Sequence, residues 1–379
     1  MSLKRSFFGC IIAVLGTDAA VLQPLSPGKD YEMISFESDY NTGAHPRVLQ
    51  ALIDTNRIPV SGYGEDPYTK SAQKKILDAC GIRDGSVVFL SGGTQTNAVV
   101  LSSLLAPYQG VVAAETGHIA VHEAGAVEHT GHKVLTVPSH EGKMSASELE
   151  ALAESFYRDG NHEHMVFPGA VYISQPTELG SVYTRAELSA IREVCLRFGM
   201  ALFIDGARLA YALASPACDV TLPELASLCD VFYIGGTKCG ALLGEAVVFT
   251  HGNMPAHFVP IIKQQGALMA KGRVLGVQFD TLFTDGLYEE IGRKVIALSE
   301  DLKQVLREAG LPFFYESPTN QQFVIIDDET MEKLKREAAF SFWEAYKPGF
   351  TVIRFVVGWS TEKEDIEALR AILKRLKGV

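Results

Sequence analysis

The chain has 379 residues, of which 47% are hydrophobic, and its formal net charge is −11 at pH 7. This length and apolar content are enough for a large core, and more than one domain is expected at this size. The acidic balance and the lack of a long basic run exclude nucleic acid as an expected partner.

The N-terminal segment MSLKRSFFGCIIAVLG is basic and then apolar. We predict an N-terminal arm over residues 1–45 that packs on the body, although residues 1–32 also fit a targeting segment. No apolar stretch reaches the roughly 18 residues that a spanning helix needs, so no membrane partner is expected. The six cysteines form no CxxC pair. This usage favours a reducing compartment, and the cytoplasm is the expected location.

From residue 46 onward, short apolar runs alternate with amphipathic ones. Helices are predicted over 71–81, 94–106, 145–160 and 184–199, and strands over 86–93, 110–118, 169–174, 200–207 and 229–238. The helix over 145–160 has Ser147 as its expected N-cap, because Glu150 follows at the spacing of a capping box. Short apolar strands between helices predict an α/β domain with a mostly parallel sheet buried on both faces.

The C-terminal part of the chain is more charged and predicts a smaller α+β domain. Its expected elements are helices over 289–309 and 361–377 and strands near 321–326 and 350–357. The predicted domain organisation is therefore the arm over 1–45, a large domain over 46–288 and a small domain over 289–379.

A single lysine, Lys238, lies in the otherwise neutral run YIGGTKCGALLGEAVVF, where Glu245 is the only other charged residue. A desolvated lysine has a lowered pKa, and its neutral amine forms Schiff bases with aldehydes. A lysine at a strand end also extends its ammonium group back to water. Taken alone, the segment favours this second interpretation.

An aspartate, Asp205, ends the apolar strand in LFIDGARLAYAL, 33 residues before Lys238. A carboxylate in this position can pair with a protonated pyridine nitrogen, while Arg208 can bind a substrate carboxylate through two parallel hydrogen bonds. A local ion pair between Asp205 and Arg208 is the alternative. Because the carboxyl ends of parallel strands meet in one crevice, Asp205 and Lys238 are expected to lie close together.

Two further segments carry polar groups toward the same predicted edge. In LSGGTQTNAVV, a glycine pair opens a helix whose free N–H groups suit a phosphate, and no P-loop lysine follows. The segment ETGHIAVHEAGAVEHTGHKV holds four of the ten histidines. It lacks the HExxH pattern of zinc proteases, so no metal is expected, and His118 is better placed to stack on a flat ring or to act as a base.

Together, the motifs SGGTQTN, GHIAVHEAGA, DGARL, GGTKCGALLGEA and GYGEDPYT occur in an order that resembles the threonine aldolase branch of the β-eliminating lyases. The resemblance covers about residue 34 to the C-terminus and is greatest to the low-specificity L-threonine aldolase-like subgroup. It implies the pyridoxal phosphate (PLP)-dependent transferase-like fold, known as fold type I. In this fold, a mostly parallel seven-stranded sheet has helices on both faces and a smaller α+β domain follows.

The resemblance also implies a role for each residue of the site. Lys238 would bind PLP covalently, Asp205 would pair with the pyridine nitrogen, and His118 would stack on the ring. The remaining implied residues are Gly93, Thr94 and Gln95 at the cofactor's phosphate, Arg208 at cofactor and substrate, and Ser38, Arg354 and His122 at the substrate.

The implied reaction is cleavage of L-threonine or L-allo-threonine to glycine and an aldehyde. The base that takes the β-hydroxyl proton is left open between His118, His122 and a water molecule. A PLP-dependent β-elimination or a transamination of another small amino acid is the alternative, since both use the same lysine, aspartate and arginines. The resemblance further implies a homo-dimer or homo-tetramer with shared sites, to which Tyr63 and residues 271–273 are candidate contributors. Plain surface charge is the alternative for 271–273.

Overall fold

A computed structural model describes residues 33–377 as two layered units, a large sheet and a smaller one, each packed against helices. The strands are β1 (Ile34–Ser35), β2 (Ser86–Leu90), β3 (Gln109–Ala114), β4 (Val134–Val137), β5 (Phe167–Ser174), β6 (Ala201–Asp205), β7 (Val231–Gly235), β8 (Glu245–Phe249), β9 (Phe313–Tyr315), β10 (Gln321–Asp327), β11 (Ala338–Ala339), β12 (Ser341–Lys347) and β13 (Phe350–Val356). The helices are α1 (Pro46–Thr55), α2 (Pro67–Ala79), α3 (Gly93–Leu104), α4 (His118–Val121), α5 (Ala126–His129), α6 (Ala146–Arg158), α7 (Arg185–Phe198), α8 (Leu209–Ala214), α9 (Leu222–Leu228), α10 (Phe258–Gln264), α11 (Arg273–Leu282), α12 (Leu287–Glu308), α13 (Asp328–Leu334) and α14 (Lys363–Lys377).

The large sheet has seven strands in the order β2-β8-β7-β6-β5-β3-β4. All its strands run parallel to one another except β8, which is antiparallel to its neighbours β2 and β7. Every residue of β7 and β8 is buried, as expected for central strands covered on both faces. The predicted mostly parallel sheet is therefore confirmed, and the carboxyl ends of its parallel strands lie along one edge.

The small sheet is antiparallel, with the order β12-β13-β10-β9. The predicted α+β character of the C-terminal part is thus confirmed. The arm joins this part, because β1 pairs in parallel with β11 and the Phe36 carbonyl accepts a hydrogen bond from the Val356 N–H at 2.8 Å. Residues 1–32 lie outside the described residues, and the predicted division after residue 288 stays a prediction.

Two helix starts differ from the sequence predictions. The N-cap of α6 is Ser145, not Ser147, because Ser145 forms a reciprocal capping box with Glu148. The alternative partner, Glu150, pairs with Arg197 instead. Helix α2 begins at Pro67, before the predicted start at residue 71, because the Asp66 side chain accepts the Thr69 N–H at 2.9 Å. Proline at the first position after an aspartate cap is the signal for this earlier start.

No helix in residues 33–377 is long and apolar enough to cross a membrane.

Candidate active site

A cavity of about 560 Å³ lies at the carboxyl edge of the large sheet and opens to solvent. It collects side chains from the ends of β2, β3, β5, β6 and β7 and from the start of β8. The residues that line it are Gly93, His118, Ser174, Pro176, Thr177, Glu178, Asp205, Ala207, Arg208, Tyr233, Thr237, Lys238 and Glu245. The predicted meeting of Lys238 and Asp205 at one edge is thereby found in the structure.

Lys238 lies in the loop after β7 and is half-buried. Burial lowers the pKa of its ammonium group, and the positive charge of Arg208 lowers it further. Within residues 33–377, its Nζ atom forms no ion pair or hydrogen bond, and the Tyr40 ring centroid lies 5.9 Å away. The amine is therefore held in the cavity with a raised neutral fraction, which is what a Schiff base requires.

Asp205 ends β6 and is only 5% exposed. Its Oδ2 accepts hydrogen bonds from Tyr172 Oη at 2.6 Å and from Asn97 Nδ2 at 3.1 Å, while Oδ1 accepts the Ala207 N–H at 3.0 Å. Asp205 and Arg208 do not form the ion pair that was the alternative, because Arg208 pairs with Asp39. Three donors fix the carboxylate in place, so that it faces the cavity in a defined orientation.

His118 begins α4, directly after β3, and its Nδ1 lies 2.7 Å from Glu123 Oε1. Burial works to lower the pKa of His118, but the hydrogen bond to Glu123 and the negative charge of Asp205 outweigh it and raise the pKa. Asn97 Nδ2 donates to both Glu123 and Asp205, at 2.7 and 3.1 Å. The Asn97 side chain thus connects the carboxylate of Glu123, which binds the His118 ring, to the carboxylate of Asp205.

His122 lies one helical turn further on, and its ring centroid is 5.7 Å from that of His118. Burial lowers the pKa of His122, and the positive charges of His118 and Arg354 lower it further. His122 is therefore a neutral imidazole at pH 7, next to a histidine that holds its proton more tightly.

The predicted phosphate turn contributes unevenly to the cavity. Helix α3 begins at Gly93 without a side-chain cap, and only Gly93 of the turn lines this cavity. A Cβ atom on Gly93 would lie 3.1 Å from Tyr233 Oη, a tight contact that favours glycine there. Thr94 and Gln95 border a neighbouring cavity, and Gln95 Oε1 accepts the Ser91 hydroxyl at 2.7 Å. Free N–H groups at the start of a helix of this length attract an anion.

Arg208 is held by a residue that the sequence analysis did not single out. Its Nε and Nη2 donate to Asp39 Oδ2 at 2.6 Å and Oδ1 at 3.0 Å, and Asn320 Nδ2 donates to the same carboxylate at 2.9 Å. Burial works to raise the pKa of Asp39, but the positive charges of Arg208 and Lys238 outweigh it and lower the pKa. The pair of parallel hydrogen bonds that was predicted between Arg208 and a substrate carboxylate is thus formed with Asp39.

The other two predicted carboxylate ligands carry unused polar atoms. Arg354 lies on β13 and donates to Gln321 Oε1 at 3.0 Å and to Ser341 Oγ at 3.2 Å. Its Nε and the Ser38 Oγ are both buried and have no hydrogen-bond partner within residues 33–377. Buried polar atoms without partners are costly, so they mark a place where a polar ligand group would be stabilised.

Two carboxyl groups in the cavity were missed as site residues by the sequence analysis. Glu178 follows β5. Its Oε1 accepts hydrogen bonds from the backbone N–H of His118 at 2.9 Å and from the Ser174 hydroxyl at 2.8 Å. Burial raises the pKa of Glu178. Glu245 begins β8, and burial raises its pKa to about 8. The only sequence signal for Glu245 was that it is charged in an apolar run.

The candidates for a shared site are exposed or engaged within the chain. Tyr63 is 53% exposed and has a positive φ of 58°, and Lys263 Nζ lies 4.8 Å from its ring centroid. Arg273 donates to the carbonyl groups of Ile58 and Thr55, both at 2.6 Å. Arg273 thus binds the end of α1 and the loop that follows it. Its guanidinium group therefore has a structural contact within the chain and is more than a solvated surface charge.

The sequence profile of the β-eliminating lyase family matches residues 36–329. The chain therefore belongs to this family. Members of the family depend on PLP, so the predicted cofactor is confirmed.

The relatives of the chain within this family cover most of its length. The low specificity L-threonine aldolase of Pseudomonas sp. is 30% identical over 346 residues, which are 89% of this chain and 96% of that protein. The structure of a Leishmania major threonine aldolase has a TM-score of 0.88 at 40% identity and covers 91% of this chain and 99% of that one. The predicted resemblance to threonine aldolases is confirmed.

The fold extends to more distant enzymes. A histidinol-phosphate aminotransferase from Clostridium acetobutylicum matches with a TM-score of 0.70 at 13% identity, covering 91% of this chain and 99% of that one. At this identity the likeness concerns the fold alone. The predicted PLP-dependent transferase-like fold is confirmed.

The residues of the cavity fit PLP in their chemistry. An amine with a lowered pKa, a fixed carboxylate and an imidazole ring line one cavity, next to a helix that starts at Gly93. These are the groups that a PLP aldehyde, a pyridine nitrogen, an aromatic ring and a phosphate need.

Proposed function

We propose that the chain is a PLP-dependent aldolase that cleaves L-threonine or L-allo-threonine to glycine and acetaldehyde. The observation that carries the proposal is the cavity that holds Lys238 and Asp205 on adjacent strand ends. The 30–40% identity to threonine aldolases over about 90% of the chain supports this choice among PLP reactions.

We assign the cofactor contacts as follows. Lys238 would hold PLP covalently through its amine, Asp205 would pair with the pyridine nitrogen, His118 would stack on the ring, and the start of α3 from Gly93 to Gln95 would bind the phosphate. Bound PLP supplies an electron sink for the bond that breaks next to the amino group.

The substrate carboxylate is bound by Arg354 and Ser38 in this proposal. Both carry a buried polar atom without a partner in the described chain, and a carboxylate has acceptor oxygens for such donors. We prefer Arg354 to Arg208 for this role, because Nε and Nη2 of Arg208 already donate to Asp39. Instead, Arg208 keeps a positive charge beside Lys238 and favours the neutral amine. Fixing the carboxylate orients the Cα–Cβ bond for cleavage, an effect of several kcal/mol at best.

We assign the general base to His122. The β-hydroxyl oxygen gives its proton to an imidazole nitrogen of His122 while the Cα–Cβ bond breaks and the aldehyde leaves. The lowered pKa of His122 supports this assignment, because a base must be unprotonated before the reaction. The raised pKa of His118 and its hydrogen bond to Glu123 suit a stacking role better.

The function is tested by analysing the products of the PLP-loaded protein with L-threonine and L-allo-threonine. We expect glycine and acetaldehyde in equal amounts, with D-threonine as the stereochemical control. Ammonia and a 2-oxo acid without aldehyde would establish elimination instead. Transfer of the amino group to an added 2-oxo acid would establish a transaminase.

The base is tested with His122→Asn. We expect kcat/KM to fall about 10²-fold, the lower end of the usual effect of general base catalysis. Because the pKa of His122 is lowered, the wild-type rate should rise with pH through a value below that of an ordinary histidine, and this limb should vanish in the variant. The matched control is His164→Asn, an exposed histidine shortly before β5, which should keep the wild-type profile. If the rate of His122→Asn still rises with pH as in the wild type, the general base is a group other than His122.

We also propose that the protein is a homo-dimer or homo-tetramer. Exposed Tyr63 with its left-handed backbone supports this, since such a conformation is uncommon for a large side chain and marks a constrained position. Light scattering coupled to size-exclusion chromatography measures the mass of the assembly directly.

A further inference from the structure

Glu245 occupies a central position between the two cofactor-binding segments. As the first residue of β8, it pairs in register with Leu90 at the end of β2 and with Gly235 at the end of β7. The turn before α3 follows Leu90, and the loop with Lys238 follows Gly235. Glu245 is 3% exposed and lines the same cavity as Gly93, the residue at which the phosphate is proposed to bind.

Both oxygens of Glu245 are bound to the loop that carries Lys238. Thr237 Oγ1 donates to Oε1 at 2.8 Å, and the Gly236 N–H donates to Oε2 at 3.1 Å. Thr237 Oγ1 also accepts the Gly244 N–H at 3.0 Å. With an ionised Glu245, the single hydroxyl hydrogen of Thr237 is therefore committed to the carboxylate and does not point into the cavity that Thr237 lines.

The charge of Glu245 depends on its surroundings. Burial raises its pKa to about 8, against the lowering effect of the Thr237 hydrogen bond and the Lys238 charge. The titratable and charged groups that interact with it from the adjoining elements are Lys238, Asp205, Tyr233, Tyr288 and Cys239. Of these, only Lys238 is a cation. The neutral carboxyl group is thus the main form at pH 7.

A phosphate dianion next to an ionised Glu245 would meet a like charge at low dielectric, which is strongly unfavourable. A neutral Glu245 removes this repulsion and reverses the hydrogen bond. Its O–H donates to Thr237 Oγ1, its other oxygen still accepts the Gly236 N–H, and the carboxyl group no longer takes the hydroxyl hydrogen of Thr237. Among residues 33–377, the remaining acceptor for this hydrogen is the Gly244 carbonyl oxygen, which lies 3.5 Å from Thr237 Oγ1, at the outer limit of a hydrogen bond.

We propose that neutral Glu245 is a positioning residue that turns the Thr237 hydroxyl hydrogen toward the cofactor's phosphate, and that loss of the Glu245 proton weakens cofactor binding. The inference rests on the proposed phosphate position at the start of α3. It adds a residue of β8 to the phosphate site and makes retention of the cofactor depend on pH in the mildly alkaline range.

The test measures the dissociation constant of pyridoxamine 5′-phosphate for the apo-protein by calorimetry at pH 7 and pH 9. This probe has no aldehyde, so reaction with Lys238 does not contribute, and its phosphate is a dianion at both values because its second pKa is about 6. If binding requires a protonated group of pKa about 8, the dissociation constant rises about tenfold over this interval.

Glu245→Gln keeps both hydrogen bonds, with its amide as a permanent donor to Thr237. We expect its dissociation constant to change much less between pH 7 and pH 9, with any residual change due to Lys238. Thr237→Val removes the donor and should weaken binding at pH 7, but by less than the change to pH 9 weakens it in the wild type, because no like charge is added beside the phosphate. Thr237→Ser is the matched control and should retain wild-type binding.

The outcomes separate this inference from the proposed function. A wild-type pH dependence that persists in Glu245→Gln would overturn the role of Glu245, as would the same pH dependence for pyridoxamine, which lacks the phosphate. Should Glu245→Gln fail to fold, Thr237→Val decides, and wild-type affinity at pH 7 in that variant would overturn the inference. No binding of pyridoxamine 5′-phosphate or PLP at any pH would instead refute the cofactor site itself.

Discussion

Lys238→Ala is expected to abolish aldol cleavage, with a fall in kcat of more than about 10³-fold, as for removal of other covalent catalysts. The amine that attaches the cofactor is lost, and no other lysine lines the cavity. The visible absorption band that forms on adding PLP to the wild type should be absent. After borohydride reduction, peptide mass mapping should find the cofactor on Lys238 in the wild type and on no peptide in the variant.

The matched control for this experiment is Lys363→Ala, an exposed lysine at the start of α14. It should leave both the absorption band and the rate unchanged. If the absorption band of bound PLP persists in Lys238→Ala, or if the reduced cofactor is found on another lysine, Lys238 is not the residue that attaches the cofactor.

Asp205→Asn is expected to lower kcat by about 10²–10³-fold, the scale found when one preorganised electrostatic partner is removed. The variant keeps the size of the side chain but loses the negative charge that stabilises a protonated pyridine nitrogen. Its amide also places a donor opposite Tyr172 or Asn97, both of which donate to Asp205 in the wild type. The measurements are kcat with L-threonine and the absorption spectrum of the bound cofactor, which should shift even without substrate.

Glu123→Gln is the control for this second experiment. It neutralises the neighbouring carboxylate that shares the Asn97 amide, but it leaves Asp205 charged. We expect a smaller loss of rate and a cofactor spectrum close to that of the wild type. An equal effect of the two substitutions would mean that the network as a whole, and not the Asp205 charge, supports the reaction.

The local features of the site followed from the sequence because each depends on a few consecutive residues. The glycine pair before α3, Asp205 at the end of β6 and Lys238 after β7 all lie at strand ends, where a switch from apolar to polar residues is visible in the sequence. The parallel order of the strands then brings their carboxyl ends to one edge. The alternation of buried strands and amphipathic helices was sufficient for the fold class.

The N-cap of helix α6 was predicted two residues too late, for a physical reason. Ser145–Glu148 and Ser147–Glu150 have the same spacing, and both satisfy the pattern of a capping box. In the structure, Glu148 forms the capping box with Ser145, and Glu150 pairs with Arg197 of α7. The spacing pattern alone therefore does not choose between the two serines.

The sequence by itself determined the fold class and the cofactor, and it predicted the lysine that is proposed to bind the cofactor. Only the tertiary structure decided which carboxylate pairs with Arg208, since Asp39 lies 169 residues away in the chain. The same holds for Glu123 behind His118 and for Glu245 beside Thr237, because hydrogen-bond partners and desolvation depend on what packs around a group. Burial changes the protonation of Lys238, His122 and Glu245, and burial is a property of the folded chain.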